Sequence, residues 1–287
     1  MKDVERIGKF QVLAPLGKGA HSSIMHIRRA ADSKQYALKV VKVGGPEEMK
    51  FLEQARHEYH VAQMLDHPNI LKVYALEEQK DWLFRVKGAS LLLEYVNGKT
   101  LDVVPALPIH ALVQVFTKVA SAMAHMHRRG VIHADMKPNN LMLSRTGDVK
   151  VIDFGLATIK GENKERVQGT LEYMAPETAK RKIINERTDI FNFGATMYRL
   201  VTFRLPPPVV PAEGGVALDA DAYRKQLKPI KQFNAEAPAE LDDLIYRCLS
   251  WTANDRPERM SDVYDALNHL VEELVTSSGD KLDRFEW

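Results

Sequence analysis

The chain has 287 residues, 45% hydrophobic and 27% charged, with 40 Lys and Arg against 38 Asp and Glu for a net charge of +2. Such a length accommodates one large domain or two lobes with a sizeable core, and a balanced charge without any long Lys/Arg run points away from nucleic acid as a partner. The lone Cys248 rules out an internal disulfide framework, no apolar run approaches the roughly 18 residues of a membrane span, and the charged start Met1–Arg6 does not suit a signal peptide.

Residues 10–43 read as three strands rich in Val and Ile: Phe10–Leu16, Ser23–Arg29 and Gln35–Val43. Between the first two lies Gly17-Lys18-Gly19-Ala20-His21-Ser22-Ser23-Ile24. Its glycines would let a hairpin approach phosphates closely, with backbone N–H groups pointing at them. They suit an ordinary hairpin turn as well, because Ser22 stands where G-x-G-x-x-G needs a third glycine. The next element is another strand, with no helix to receive a pyrophosphate, so a dinucleotide site is disfavoured. Lys39 is the one cation inside the apolar run Tyr36-Ala37-Leu38-Lys39-Val40.

Residues 46–65 read as a helix opened by Pro46, with Leu52, Ala55, Tyr59, Ala62 and Leu65 on its apolar face and Glu58 beside it. On spacing alone, Glu48, Glu53 and Glu58 are all candidates for a solvated carboxylate. Ser90–Val96 reads as a buried strand ending in Asn97-Gly98. Residues 109–129 form a long amphipathic helix with Leu112, Val115, Phe116, Val119, Met123 and Met126 on one stripe and Gly130 as its stop. Its methionines are core packing rather than a site.

The next stretch is the chemically richest. His133-Ala134-Asp135-Met136-Lys137-Pro138-Asn139-Asn140 offers a carboxylate, an ammonium and an amide on one short loop. A strand Asn140–Leu143, a Thr146-Gly147-Asp148 turn and a strand Val149–Ile152 then lead to Asp153-Phe154-Gly155. Moving a phosphoryl group needs such parts: a base near the attacking hydroxyl, a cation on the γ-phosphate and oxygen ligands for Mg²⁺. Downstream come Gly169-Thr170-Leu171-Glu172-Tyr173-Met174-Ala175-Pro176-Glu177 and an apolar helix from Asp189 to about Thr202. A Pro-rich loop over 205–216 follows, expected to be mobile. Two last helices, about 239–250 and 261–275, flank Asn254-Asp255-Arg256-Pro257. Cys248 shares helical spacing with Leu241, Leu244 and Ile245, which marks it as a buried, inert thiol.

The motifs H-x-D-x-K-P-x-N and D-F-G resemble the catalytic loop and metal-binding motif of the eukaryotic-like (Hanks-type) Ser/Thr protein kinases, and further matching motifs run in order from Gly17 to Arg256. The resemblance implies an α+β bilobal fold, a single kinase domain over 1–287. Its N-lobe would end near residue 96, with a five-strand sheet and one helix, and its C-lobe, from about 97, would be mainly helical. Asp135 would accept the proton of the substrate hydroxyl, Lys137 would neutralise the γ-phosphate, and Asn140 and Asp153 would hold Mg²⁺, with Mn²⁺ as a substitute. Lys39 would hold the α- and β-phosphates of ATP, and Glu58, selected by its offset from Lys39 and from His67-Pro68, would orient Lys39. The turn residues Gly17, Lys18, Gly19, Ala20 and Ser22 would cover the phosphates. Ile24, Ala37, Met142 and the gatekeeper Leu93 would line the adenine pocket, and the Glu94 carbonyl and Val96 amide would pair with the adenine edge. Thr170 would belong to the substrate-docking loop, and Arg256 would pair with Glu177.

The implied activity is ATP- and Mg²⁺-dependent phosphorylation of Ser/Thr hydroxyls in protein substrates, the kinase itself included. The alternative is a pseudokinase-type scaffold that binds nucleotide or a partner, although none of the residues whose loss marks such proteins is missing. A small-molecule phosphotransferase would share the two Asp motifs but would not need Gly169–Glu177, the Asp189 helix or Arg256. Ala134 departs from the family, since most members carry Arg there to pair with a phosphate on the activation loop. This non-RD form implies a loop that works without phosphorylation, Thr158 being its candidate hydroxyl; the opposing reading is a neutral variation with control through movement of Glu58. Thr100 and Asn139 stand where basophilic kinases carry acids, so a strong preference for upstream Arg is not expected. The expected location is the cytoplasm, as a soluble chain or the cytosolic domain of a longer one; dimerisation is left open.

Overall fold

The computed structural model describes residues 6–19, 21–162, 169–210 and 218–278. These fall into two compact units that do not follow a single cut in the chain. The first gathers the residues up to Asp66, Leu71–Asn97 and Asp153–Gly155; the second takes His67–Ile70, Gly98–Ile152 and the chain from Leu156 onward.

The first unit holds strands β1 (Arg6–Ile7), β2 (Phe10–Lys18), β3 (Ser22–Arg29) and β4 (Gln35–Lys42), helix α1 (Met49–Gln63), and strands β5 (Val73–Lys80) and β6 (Val86–Glu94). The strands form one antiparallel sheet in the order β1-β2-β3-β4-β6-β5. It has six strands rather than the expected five, because Arg6–Ile7 folds back on Gln11 and Phe10. The strand expected over 90–96 begins at Val86 and ends at Glu94, so Val96 lies beyond the ladder. Strand side chains alternate between faces. Leu38 and Val40 of β4 join Phe10 and Ile27 in one apolar cluster, which turns Ala37, Lys39 and Val41 to the opposite face. On α1, Leu52, Ala55, Val61 and Ala62 are buried, with Leu52 packed against Val43 and Ala89.

The second unit begins with β7 (Gly98–Thr100) and α2 (Ile109–Arg128), followed by β8 (Val131–Ile132), β9 (Leu141–Ser144), β10 (Val149–Val151) and β11 (Thr158–Ile159). Then come α3 (Pro176–Arg181), α4 (Glu186–Thr202), α5 (Ala220–Gln226), α6 (Ala239–Cys248) and α7 (Met260–Ser278). Sheets β10-β9-β7 and β11-β8 are small, and helices are the main regular structure of the unit. Burial on α2 extends beyond the expected stripe to Val113, Ala120 and Ala122. Gly130 ends this helix at φ +73°, where a glycine avoids left-handed strain. Met123 and Met126 are fully buried.

Asn140 does not open β9 as expected: it ends a 3-10 turn over Pro138–Asn140, its N–H donating to the Lys137 carbonyl. The short helices α3 and α5 were not legible beforehand, each having too few turns to show a periodic apolar face. Of the Pro-rich loop, residues 211–216 lie outside the described residues. Cys248 is buried, and burial pushes its thiol up to about 12. No helix among the described residues is long and apolar enough to cross a membrane.

Arg256 and Glu177 do meet. The fully buried guanidinium donates to both carboxylate oxygens at 2.8 Å, while its remaining N–H groups reach the Ser250, Trp251 and Arg187 carbonyls. Burial pushes the Glu177 carboxyl up, but the hydrogen bonds and charge of Arg256 outweigh this and hold it below the ordinary 4.5. A lowered carboxyl contributes stability above its unfolded value and loses it as pH falls through the folded one. Glu177→Gln should cost about 3–5 kcal/mol in urea unfolding at neutral pH, since it strands a buried cation. The gap to the wild type should close as pH drops below 4.5.

Candidate active site

Two clusters of the predicted residues form, one within each unit. In the first, β4 places Lys39 in the middle of the sheet, opposite Ile24 on β3 and Leu91 on β6. Its Nζ donates to Glu58 Oε2 at 2.6 Å, with side-chain exposures of 19% and 5%. Burial alone would lower the Lys39 ammonium, but the Glu58 and Asp153 carboxylates outweigh it and hold the group above its ordinary value. Lys39 therefore stays charged. Burial, with Asp153 adding to it, pushes the Glu58 carboxyl up against the pull of Lys39, and it is the 2.6 Å contact between the two that holds the lysine in place.

Asp153 sits at φ +64°, a conformation that Asp tolerates because its short side chain bonds locally. Its Oδ1 accepts the Gly155 N–H at 3.2 Å. A Cβ on Gly155 would stand 2.6 Å from Nε2 of the Gln54 side chain on α1, which would have to move aside. Ser22, Lys39, Glu58 and Asp153 share the lining of one cavity. The glycine turn beside it is closed by the Gly19 N–H on the Ser22 carbonyl at 2.8 Å. Gly17 and Lys18 are the last residues of β2, paired with Ile24 and Ser23; Ala20 lies outside the described residues. Ala37 and Leu93 are buried and pair across β4 and β6. Glu94 pairs with Lys72, its N–H donating to the Lys72 carbonyl and its Oε2 accepting the Lys72 N–H. Met142 belongs to the second unit, on β9 opposite Thr100 and Lys150.

In the second unit, the loop from His133 to Asn140 is fastened from outside. Asp189, fully buried on α4, accepts the His133 N–H on Oδ2 and the Ala134 N–H on Oδ1, both at 2.8 Å. His127 Nε2 donates to Oδ2 at 2.8 Å. These bonds hold Ala134 at φ +66°, which costs an L-residue about 1–2 kcal/mol. The chemical groups follow at once. Lys137 Nζ lies 2.7 Å from Asp135 Oδ2 and donates to Thr170 Oγ1 at 2.6 Å. Thr170 in turn donates its N–H and Oγ1–H to Asp135 Oδ1, each at 2.9 Å. Asn140 Nδ2 donates to the Asp135 carbonyl at 2.7 Å and to its Oδ2 at 3.3 Å. A base, a cation, an amide and a hydroxyl therefore share one contact network, with Asp135 buried at its centre.

The sequence marked Asp189 only as the start of a signature helix, not as the anchor of the loop. The available signal was an acid in a stretch otherwise too apolar to leave it solvated. Nothing in the sequence paired His127 with it. Asp189→Asn keeps the shape but replaces one acceptor oxygen with a donor, leaving a buried loop N–H unpaired. It should lower unfolding free energy by about 1–3 kcal/mol and speed amide hydrogen exchange at Ala134.

A family model for the protein kinase domain matches residues 10–270. The serine/threonine-protein kinase PrkC of Bacillus subtilis is 26% identical over 96% of this chain and 43% of its own length. A probable serine/threonine-protein kinase of Streptomyces coelicolor is 31% identical over 87% of the chain and 38% of its own length. The serine/threonine-protein kinase PknB of Mycolicibacterium smegmatis is 29% identical over 84% and 39%. The chain thus spans about two fifths of the length of these curated relatives.

Proposed function

The chain belongs to the protein kinase domain family, and we propose that it transfers the γ-phosphoryl group of ATP to Ser/Thr hydroxyls of proteins, itself included. The observation that carries this reading is the contact network of Asp135, Lys137, Asn140 and Thr170. An ammonium that donates to one threonine hydroxyl and a carboxylate that accepts its proton are a cation and a base already spaced for a hydroxyl nucleophile. The Ser/Thr assignment rests on Lys137 and on the likeness to relatives named as serine/threonine kinases or, for the Streptomyces protein, a probable one.

Each role follows from the chemistry of its side chain. Asp135 accepts the proton of the attacking hydroxyl, and Lys137 offsets charge on the transferring group. Lys39, kept charged by Glu58, holds the α- and β-phosphates. The turn residues Gly17, Lys18, Gly19, Ala20 and Ser22 offer backbone N–H groups to phosphate. Ile24, Ala37, Leu93 and Met142 give an apolar lining to the adenine, with the Glu94 carbonyl and the Val96 N–H on its edge. Thr170 positions the substrate hydroxyl.

The donors fit a hard divalent cation. Asn140 spends its amide N–H groups on Asp135, leaving its oxygen for another partner, and Asp153 is an exposed carboxylate; both are oxygen ligands of the kind Mg²⁺ or Mn²⁺ takes. When bound, the ion would offset the negative charge of the nucleotide.

The absence of Arg at 134 is compensated in this reading. The segment around Thr170 is tied directly to Asp135, so no loop phosphate is needed to order it. Thr158 is buried on β11 beside Ile132, and its Oγ1 finds no partner among the described residues. Such a hydroxyl is both hidden from a kinase and unfavourable where it stands. Thr158→Val should therefore keep wild-type activity and unfold at the same urea concentration or a higher one; a large loss of activity would mean that this hydroxyl is a control point.

The direct test is transfer of labelled γ-phosphate to a generic protein substrate and to the chain itself, beside Asp135→Asn and Lys39→Met. Transfer in the wild type, abolished by both substitutions, is the expected result. A wild type that binds Mg-ATP yet transfers nothing would favour the nucleotide-binding scaffold.

A further inference from the structure

Phe51, Gln54, Ala55 and Glu58 recur at the three- and four-residue spacing of one helical stripe on α1. Three contacts within the first unit hold that stripe. At one end Lys39 reaches Glu58. One turn back, Gln54 fills the space that a side chain on Gly155 would need. A further turn back, the imidazole of His21 stacks on Phe51, ring centroids 3.9 Å apart and planes 18° from parallel. Two charges flank the stack: Glu48 Oε1 is 3.7 Å from His21 Nδ1, and Lys50 Nζ lies 5.0 Å from the Phe51 centroid. His21 belongs to the glycine turn, and it lines the same cavity as Lys39, Glu58 and Asp153.

We propose that His21 is a positioning residue whose stack on Phe51 latches the glycine turn to the Glu58 face of α1. Past the ladder that ends at Lys18 and Ser23, the described residues of the turn hold one backbone contact of their own, from the Gly19 N–H to the Ser22 carbonyl. A ring anchored on α1 restricts the freedom that glycine gives the backbone there. It also couples the two, because α1 cannot carry Glu58 away from Lys39 without unstacking His21. The proposal rests on the kinase reading and names a regulatory contact of the same site. The ring acts through its face rather than through proton transfer, so another planar aromatic at 21 should serve.

The experiment compares the wild type with His21→Ala, Phe51→Ala, the double substitution and His21→Phe. Phosphate transfer is measured with Mg-ATP as the varied substrate, and amide hydrogen exchange of α1 is measured without nucleotide. A lost aromatic pair predicts kcat/KM lower by about 2- to 12-fold in each Ala variant. The loss should appear in both KM for Mg-ATP and kcat, with faster exchange over residues 51–58. The double variant should be no worse than either single one, and His21→Phe should restore both readouts. Wild-type kinetics and exchange in His21→Ala, strictly additive losses, or failure of His21→Phe to rescue would each overturn the latch. If the wild type transfers no phosphate, the kinase reading fails, while the exchange pattern alone still decides whether His21 holds α1.

Discussion

Asp189 is a fully buried carboxyl group with three N–H partners, two from the backbone at His133 and Ala134 and one from the His127 ring. A carboxylate removed from water without partners would be strongly destabilising, and with three it becomes a rigid anchor. The loop it fastens bends through a left-handed alanine that would otherwise relax. From there the geometry propagates along a few residues. Asp135 emerges where Thr170 can donate to it twice, Lys137 folds back on both, and Asn140 closes the group from below through a 3-10 turn set by Pro138. The candidate site loop is therefore fastened by a helix that contributes none of the clustered side chains.

The first unit solves a different problem. An ammonium and a carboxylate in a sheet–helix interior each lose hydration, and their attraction offsets this only when the contact is close and further charge favours it. Lys39 and Glu58 satisfy that condition at 2.6 Å, with Asp153 adding to the field that keeps the lysine charged. Such a pair depends on helix position. Moving α1 by a few ångströms would leave two uncompensated charges, which makes this contact responsive to anything that fastens the helix. The Gln54–Gly155 and His21–Phe51 contacts lie on the same stripe as Glu58.

Much of this was readable from residue order. The three strands came from their Val and Ile content, α2 from apolar periodicity and a stop glycine, and α4 and the Glu177–Arg256 pair from family motifs in the second unit. The errors fell where local signals are weak. The two-residue strand Arg6–Ile7 carries no pattern of its own. The six- and seven-residue helices α3 and α5 are too short for periodicity. Asn140 looked like a strand residue because only its bond to the Lys137 carbonyl distinguishes the turn from the strand that follows.

The motifs legible in the residue order carry the resemblance to the protein kinase family, and with it the α+β class and the candidate site residues. Tertiary structure alone decided which neighbours constrain them. That Lys39 turns toward a carboxylate rather than solvent, that Asp189 anchors a loop more than fifty positions earlier, and that the buried Thr158 hydroxyl has no partner among the described residues all depend on contacts between segments distant in the chain. Local propensity is blind to such contacts, since their energy comes from burial and pairing that exist only after the segments have packed.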